Sequence, residues 1–370
     1  MTDGLTPRYT KGMKRSKFYQ FFPPPQFLQM SAFGLGVSDM SLRFVELIEK
    51  RKGFVVGRFG ERAIERGIIE SGEVKKPAEL RAIFSDIKKS YNLEFVSVSL
   101  PEEKGYLFQL RLPKMKYSDV RGAIELSLEE HVPIKSDEAL FDYDIVAETD
   151  SSFDITVSVV PRTLVDGYLE AFLGSGITPV AFEIEAHSLA RSIVPDGDKN
   201  TFMIVDFGKT RTGISIVSDG VARFTSSVLV GGGLLTDAIA KSLQVSYDEA
   251  EKIKREKGIS GNDTNEVVST ALTSTISIMR DEVNKHQSYW QMHTDEYGNK
   301  RPEIQKIYLC GGDASLAGLV GHLASGLSSP VELANVMINV NTLDEYVPEI
   351  SFNDSLRFAT ALGLALRRSK

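Results

Sequence analysis

A glycine-bearing hairpin meander occurs twice in this chain, once near residue 40 and again near residue 210, and that recurrence points to two matching lobes. In the first copy, Phe33-Gly34-Leu35-Gly36-Val37-Ser38-Asp39-Met40-Ser41 leads into the strand-like run 42–48, a polar turn at 49–53 and a third strand over 54–59. In the second, Met203-Ile204-Val205-Asp206-Phe207-Gly208-Lys209-Thr210-Arg211-Thr212 leads into 213–217, and Asp219-Gly220 is a strong two-residue hairpin signal before the strand 221–224. Such turns suit anions. A glycine followed by small polar residues lets several backbone N–H groups converge, and the hydroxyls of Ser38, Ser41, Thr210 and Thr212 add donors. A carboxylate just before the glycine, at the end of a buried strand, suits a hydrated Mg²⁺ bridging phosphates; the second copy has Asp206 there.

A third glycine element follows the strand 304–309, where Cys310-Gly311-Gly312-Asp313 precedes a helical pattern with Leu316, Leu319, Val320 and Leu323 on one face. Strand, Gly-Gly and helix together permit close approach of a flat ligand, although an ordinary βα turn reads the same way.

Composition removes several function classes. Fifty acidic against 43 basic residues give a net charge of −7, the wrong sign for a dedicated nucleic-acid binder. One cysteine, Cys310, rules out a disulfide framework, and five scattered histidines offer no paired metal ligands. No window reaches the roughly 18 consecutive apolar residues of a membrane-spanning helix, so a cytoplasmic protein is expected. Residues 1–30 form a basic and aromatic tail in which Phe21-Phe22-Pro23-Pro24-Pro25 and Gln26 interrupt any signal-peptide core. It reads either as an arm for anionic lipid or a partner, or as a disordered tail ahead of an alternative start at Met30.

Further along, 107–112 alternates as a strand, 117–131 is an amphipathic helix with Val120, Ile124 and Leu128 inward, 141–146 and 154–160 are strands, and 163–174 is a helix. Ser246-Tyr247-Asp248-Glu249 is a capping box for a helix ending at Gly258. A longer helix carries Val268, Leu272, Met279 and Val283 on one stripe, with Trp290 and Met292 near its end read as packing residues or as a contact surface, and 353–368 reads as a closing helix.

The order of these motifs resembles the actin-like ATPase superfamily. Within it the chain is most similar to the PilM family of type IV pilus assembly proteins, with the FtsA division proteins next. The resemblance spans roughly 31–368 and is carried by Phe182-Glu183-Ile184-Glu185-Ala186-His187-Ser188-Leu189-Ala190-Arg191, residues 205–213, Gly231-Gly232-Gly233-Leu234-Leu235-Thr236, Glu249-Ala250-Glu251-Lys252-Ile253-Lys254, residues 308–318 and residues 359–367. It implies an α/β, ribonuclease H-like duplicated fold of two lobes with an inserted small α+β (SHS2-type) subdomain. The implied divisions are a first lobe of 31–106 and 178–200, the insertion at 107–177, a second lobe of 201–233 and 304–370, and a helical subdomain at 234–303.

It also implies an ATP and Mg²⁺ site between the lobes. Gly36, Val37 and Ser38 match the first phosphate loop, and Gly208, Lys209, Thr210, Arg211 and Thr212 the second. Asp206 matches the magnesium aspartate; Gly232, Gly233 and Thr236 open the nucleotide-side helix; Glu251 and Lys254 match the ribose and adenine side; Gly311 and Gly312 match the adenosine loop. The first loop of the family reads Asp-x-Gly, and Gly34 is placed at that aspartate, so nucleotide binding is expected with weak or absent hydrolysis. Glu183 and Glu185 are candidates for orienting water. By the same resemblance the partners are the N-terminal cytoplasmic peptide of PilN and other pilus platform proteins, with the inner membrane reached only through them. An FtsA-like filament or division scaffold is the alternative, and a small-molecule kinase a third class.

Overall fold

The first described elements are three antiparallel strands, largely buried over 33–37 and 41–45 and more open along the third. The computed structural model describes residues 32–51, 53–259, 266–295, 298–341 and 346–367; the tail at 1–30 lies outside them. Strands β1 (Phe33–Val37), β2 (Ser41–Lys50) and β3 (Gly53–Ala63) form the first meander. The small hairpin β4 (Ile69–Glu70) and β5 (Glu73–Val74), helix α1 (Pro77–Tyr91) and strand β6 (Phe95–Leu100) follow, and a 3₁₀ turn, Glu102–Lys104, leaves β6. Then come β7 (Tyr106–Pro113), α2 (Tyr117–His131), β8 (Ala139–Glu148), β9 (Ser152–Pro161), α3 (Arg162–Phe172), β10 (Thr178–Ile184) and α4 (Glu185–Ile193).

The second half repeats the plan with β11 (Thr201–Phe207), β12 (Thr212–Ser218) and β13 (Val221–Val228). Asp219 and Gly220 both take positive φ, 53° and 70°, as their hairpin turn requires. Helices α5 (Gly232–Leu243), α6 (Tyr247–Lys257) and α7 (Glu266–Met292) precede β14 (Ile304–Cys310), α8 (Leu319–Ala324), β15 (Val331–Leu333), α9 (Phe352–Ser355), a 3₁₀ turn at Leu356–Phe358, and α10 (Ala359–Ala365).

The two large sheets have the same strand order, β3-β2-β1-β6-β10 and β13-β12-β11-β14-β15. In each, the meander is antiparallel and the last two strands join in parallel. This is the duplicated actin-like fold. Parallel strands are buried on both faces, and accordingly Met203, Ile204 and Val205 of β11 are fully buried.

Helices α4 and α10 cross between the lobes. Gly363 lies so close to Ser188 that a Cβ there would overlap the Ser188 carbonyl, and Arg191 Nε donates to the Gly363 carbonyl at 2.9 Å. A third sheet, β7-β9-β8, packs on α2 through fully buried Val120, Ile124 and Leu128. It meets the first lobe where Ser158 Oγ and His187 Nε2 lie 2.7 Å apart, and the second lobe where Gln109 Nε2 donates to the Arg223 carbonyl at 2.9 Å. Helix α3 packs away from this sheet, and Leu164, Tyr168 and Phe172 share a core with Leu80, Phe84 and Ile87 of α1.

Three local readings of the sequence are corrected. The helix expected directly after Gly312 begins only at Leu319, because Gly318 caps it in the left-handed region at φ 86° and turns fill the interval. The closing helix is broken at 356–358, where the Leu356 carbonyl accepts from the Gly311 N–H at 3.0 Å. Trp290 is buried and donates to the Pro302 carbonyl at 2.8 Å, whereas Met292 is 77% exposed and packs little.

Candidate functional site

The hairpin registers settle which first-lobe residue corresponds to Asp206. In the second meander the last pair before the loop is Phe207↔Thr212, and in the first it is Val37↔Leu42, with loops 208–211 and 38–41 of equal length. One pair earlier, Asp206 faces Gly213 and Gly36 faces Arg43. The position corresponding to Asp206 is therefore Gly36, not Gly34, and Ser38 corresponds to Gly208. Gly34 is a packing residue, since any Cβ there would overlap the Ala361 carbonyl of α10. At Gly36 a Cβ would stand at ordinary distance, 3.6 Å, from Thr360.

Around the first loop, Val37 N–H donates to Ser99 Oγ at 3.1 Å, and Ser38 closes its own turn by donating to the Ser41 carbonyl at 3.0 Å. Around the second, Gly208 N–H donates to the Arg211 carbonyl at 3.0 Å and Thr212 Oγ1 to the Val230 carbonyl at 2.5 Å. Thr210 is exposed. The first amides of α5 are already engaged, with Gly232 N–H donating to the Gly208 carbonyl at 2.9 Å and Gly233 N–H to the Lys209 carbonyl at 2.8 Å. The Lys209 ammonium lies 5.1 Å from the centre of the Tyr247 ring.

Asp206 is enclosed, and burial pushes its carboxyl up to about 6 against the opposing pull of Arg43. A Cβ at Gly311 would overlap Asp206 Oδ1, so the glycine, at φ 99°, leaves room for the carboxylate. Among the described residues no group of three or more His, Cys, Asp or Glu is placed to hold a metal. Asp206 does fit a magnesium ion that completes its shell with water and phosphate oxygens, since Mg²⁺ needs only one or two protein carboxylates.

Lys254 is 1% exposed and ties α6 to α5 and to Asp313. Its Nζ donates to the Gly232 carbonyl at 3.0 Å and pairs with Asp313 Oδ1 at 2.7 Å and Glu251 Oε2 at 3.1 Å. Thr236 Oγ1 donates to the same Glu251 oxygen at 2.6 Å. Burial alone would raise Glu251, yet the Thr236 hydrogen bond and the Lys254 ammonium hold it down at about 2. So Gly232, Thr236, Glu251 and Lys254 form one network with Asp313, whose carboxylate a Cβ at Gly232 would overlap.

The two water-orienting candidates separate. Glu183 pairs with Arg191 and, at 3.4 Å, with Arg367. Glu185 opens α4, and burial, with the charges of Glu102, Asp206 and Asp39 adding to it, raises its carboxyl well above the ordinary range. Glu102, in the 3₁₀ turn after β6, does not stand out in the sequence, where Pro101-Glu102-Glu103-Lys104 looks like a surface turn. It is buried, accepts from Ser215 Oγ at 2.9 Å, and occupies space that Gly213 leaves open. Burial pushes Glu102 up to about 7, the Ser215 hydrogen bond opposing and the Asp206 charge adding.

The model of the family described as type IV pilus assembly protein PilM matches residues 34–369. The chain belongs to that family.

Solved structures agree on the fold. A structure described as a PilM–PilN type IV pilus biogenesis complex superposes with a TM-score of 0.78 at 20% identity, covering 92% of this chain and 98% of that one. MreB 5 of Spiroplasma citri bound to AMPPNP gives 0.51 at 12% identity, covering 84% and 93%. The cell division protein FtsA of Staphylococcus epidermidis is 20% identical over 208 residues, 51% of this chain and 44% of that protein. FtsA of Neisseria meningitidis serogroup B is 38% identical over 61 residues, 16% of this chain and 15% of that protein. The chain thus spans less than half the length of these curated relatives. No helix among the described residues is long and apolar enough to cross a membrane.

The loops and the helix singled out from the sequence lie beside one another. The first loop meets the second through Asp39 and Arg211, whose Oδ2 and Nη2 are 2.5 Å apart. The second loop meets α5, and α5 meets Asp313 beside Gly311 and Gly312. Arg43, opposite Gly36, is paired with Glu61 at 2.7 Å and lies 3.8 Å from where a Cβ of residue 312 would be. Arg43, Glu102 and Glu103 carry no local pattern of their own; only side-chain contacts between elements far apart in sequence bring them into view.

Proposed function

We propose that this chain is a nucleotide-binding adaptor of the inner-membrane platform of a type IV pilus machine, working at the cytoplasmic face. ATP with Mg²⁺ sits between the two hairpins, held by Gly36, Val37 and Ser38 on one side and Gly208 to Thr212 on the other. Gly232, Gly233, Thr236, Glu251, Lys254, Gly311 and Gly312 shape the nucleoside side. Asp206 is the single carboxylate toward the metal, and Glu185 is the group that would orient an attacking water.

The observation that carries the reading is that Gly36 holds on the first hairpin the place that Asp206 holds on the second. One carboxylate supports binding, while its missing counterpart and a Glu185 whose carboxyl burial raises well above the ordinary range support slow or absent hydrolysis. Membership of the PilM family supports the pilus setting, and the solved PilM–PilN assembly supports a PilN-type tail as the peptide held between the first lobe and the β7-β9-β8 module.

Pull-down with a PilN-type N-terminal peptide tests the adaptor. Removing 107–177 would also remove Tyr168 and Phe172 from the first-lobe core, so the module is excised only up to residue 159, which pairs with Tyr106. Binding lost on that excision is expected; undiminished binding by the folded remainder removes the docking site. Polymers that pellet with MgATP would move the reading to an FtsA-like filament.

A further inference from the structure

We propose that Arg211 is a lock between the lobes, and that Asp39 and Glu103 act as an internal substitute for nucleotide phosphate which an incoming ligand must displace. The proposal rests on the nucleotide reading and adds a regulatory device to the same cleft.

Arg211 belongs to the second loop, in the second lobe. Its two partners come from the first lobe by different routes. Asp39 lies at the tip of the first loop, and its Oδ2 is 2.5 Å from Arg211 Nη2. Glu103 lies in the 3₁₀ turn after β6 and meets Arg211 Nη1. The side chains of Arg211, Asp39 and Glu103 are 16%, 13% and 15% exposed, so the triad is largely shielded from solvent and from salt.

The carboxylates are braced, not carried along by the arginine. Asp39 Oδ1 accepts from the Gly72 N–H at 2.9 Å, and the Gly72 carbonyl accepts from the buried Tyr168 hydroxyl at 3.0 Å. One Asp39 oxygen thus holds the backbone and the other holds Arg211. Next to Glu103, Glu102 crosses the same seam to Ser215.

A guanidinium presents planar pairs of N–H donors that fit carboxylate and phosphate oxygens alike. With both edges of Arg211 occupied by carboxylates, the second loop has no free guanidinium for a phosphate. The triad carries one positive and two negative charges, so an approaching phosphate meets a net negative seam. A nucleotide that takes Arg211 therefore breaks the contact between the lobes, and closure without ligand and closure around ligand become alternative states.

The test is calorimetric titration of ATP with Mg²⁺ into the full chain, into Glu103→Gln and into Asp39→Asn, each checked for native circular dichroism. Each substitution removes one internal anion while keeping shape. Affinity is expected to rise about tenfold in either variant. Should Glu103→Gln fail to fold, Asp39→Asn gives the same comparison. Equal or weaker affinity in the folded variants overturns the lock and leaves the nucleotide reading standing. No binding by wild type or by either variant removes the nucleotide reading, and the lock with it.

Discussion

Gly36 holds on the first hairpin the place that Asp206 holds on the second, each one pair before a loop of the same length. The two-lobed cleft is thus symmetric in backbone and asymmetric in charge, with one carboxylate where the duplicated plan has room for two. That asymmetry yields a direct contrast between two glycines.

Gly36→Asp is expected to fold, because a Cβ there meets Thr360 at 3.6 Å, and to raise Mg²⁺-dependent phosphate release above the wild-type rate. Gly34→Asp is expected not to fold, since its Cβ would collide with the Ala361 carbonyl. Thermal melts and a phosphate-release assay decide. A stable Gly34→Asp with faster turnover would reverse the assignment of the two positions.

The crossing of α4 and α10 depends on the absence of a side chain at Gly363. Gly363→Ala places a methyl against the Ser188 carbonyl and forces the helices apart. A loss of about 3 kcal/mol or more is expected in urea unfolding, at the upper end of overpacking penalties. A variant as stable as wild type would mean that the crossing of the two helices yields freely.

Glu102 makes stability fall as pH rises. Its carboxyl titrates near 7 in the folded chain and near 4.5 when exposed, so between those values the folded state binds the extra proton. The stabilising contribution is complete below about pH 4.5 and is lost through pH 7, a change of about 3 kcal/mol at order of magnitude. Glu102→Gln should flatten that part of the profile and be the more stable chain at pH 8. Asp206 and Glu185 shift in the same direction, so some slope persists. An unaltered profile in the variant would show that Glu102 is not the titrating group.

Lys254 compensates two carboxylates from inside. Lys254→Met leaves Glu251 and Asp313 facing each other and the Gly232 carbonyl without its donor. A loss of about 3–5 kcal/mol follows from breaking a buried ion pair on one side. Glu251 should also titrate higher than about 2, which carboxyl NMR chemical shifts would report. A variant with unchanged stability and titration would place the lysine outside any structural network.

Much of this is legible locally. The span of α2, the Ser246 cap of α6, whose Oγ accepts from Glu249 N–H at 3.3 Å, and the Asp219-Gly220 turn depend on residues near one another in sequence. The aspartate position is not, because Gly34-Leu35-Gly36 keeps the glycine of an Asp-x-Gly pattern while Gly36-Val37-Ser38 does not, and only the β1–β2 ladder shows that the second triplet is the equivalent one. The apolar face of α3 announces burial but not against which partner, and it lies on α1 instead of the neighbouring sheet. Glu102 and Glu103 look like surface charges until β12 is set against them.

The most direct test of the central claim is calorimetric titration of ATP into the chain with and without Mg²⁺, beside Asp206→Ala. Binding that strengthens with Mg²⁺ in the wild type, and weakens and loses that dependence in the variant, is the predicted result. Equal affinity of the two chains, or no heat from either, would contradict a nucleotide held between the hairpins.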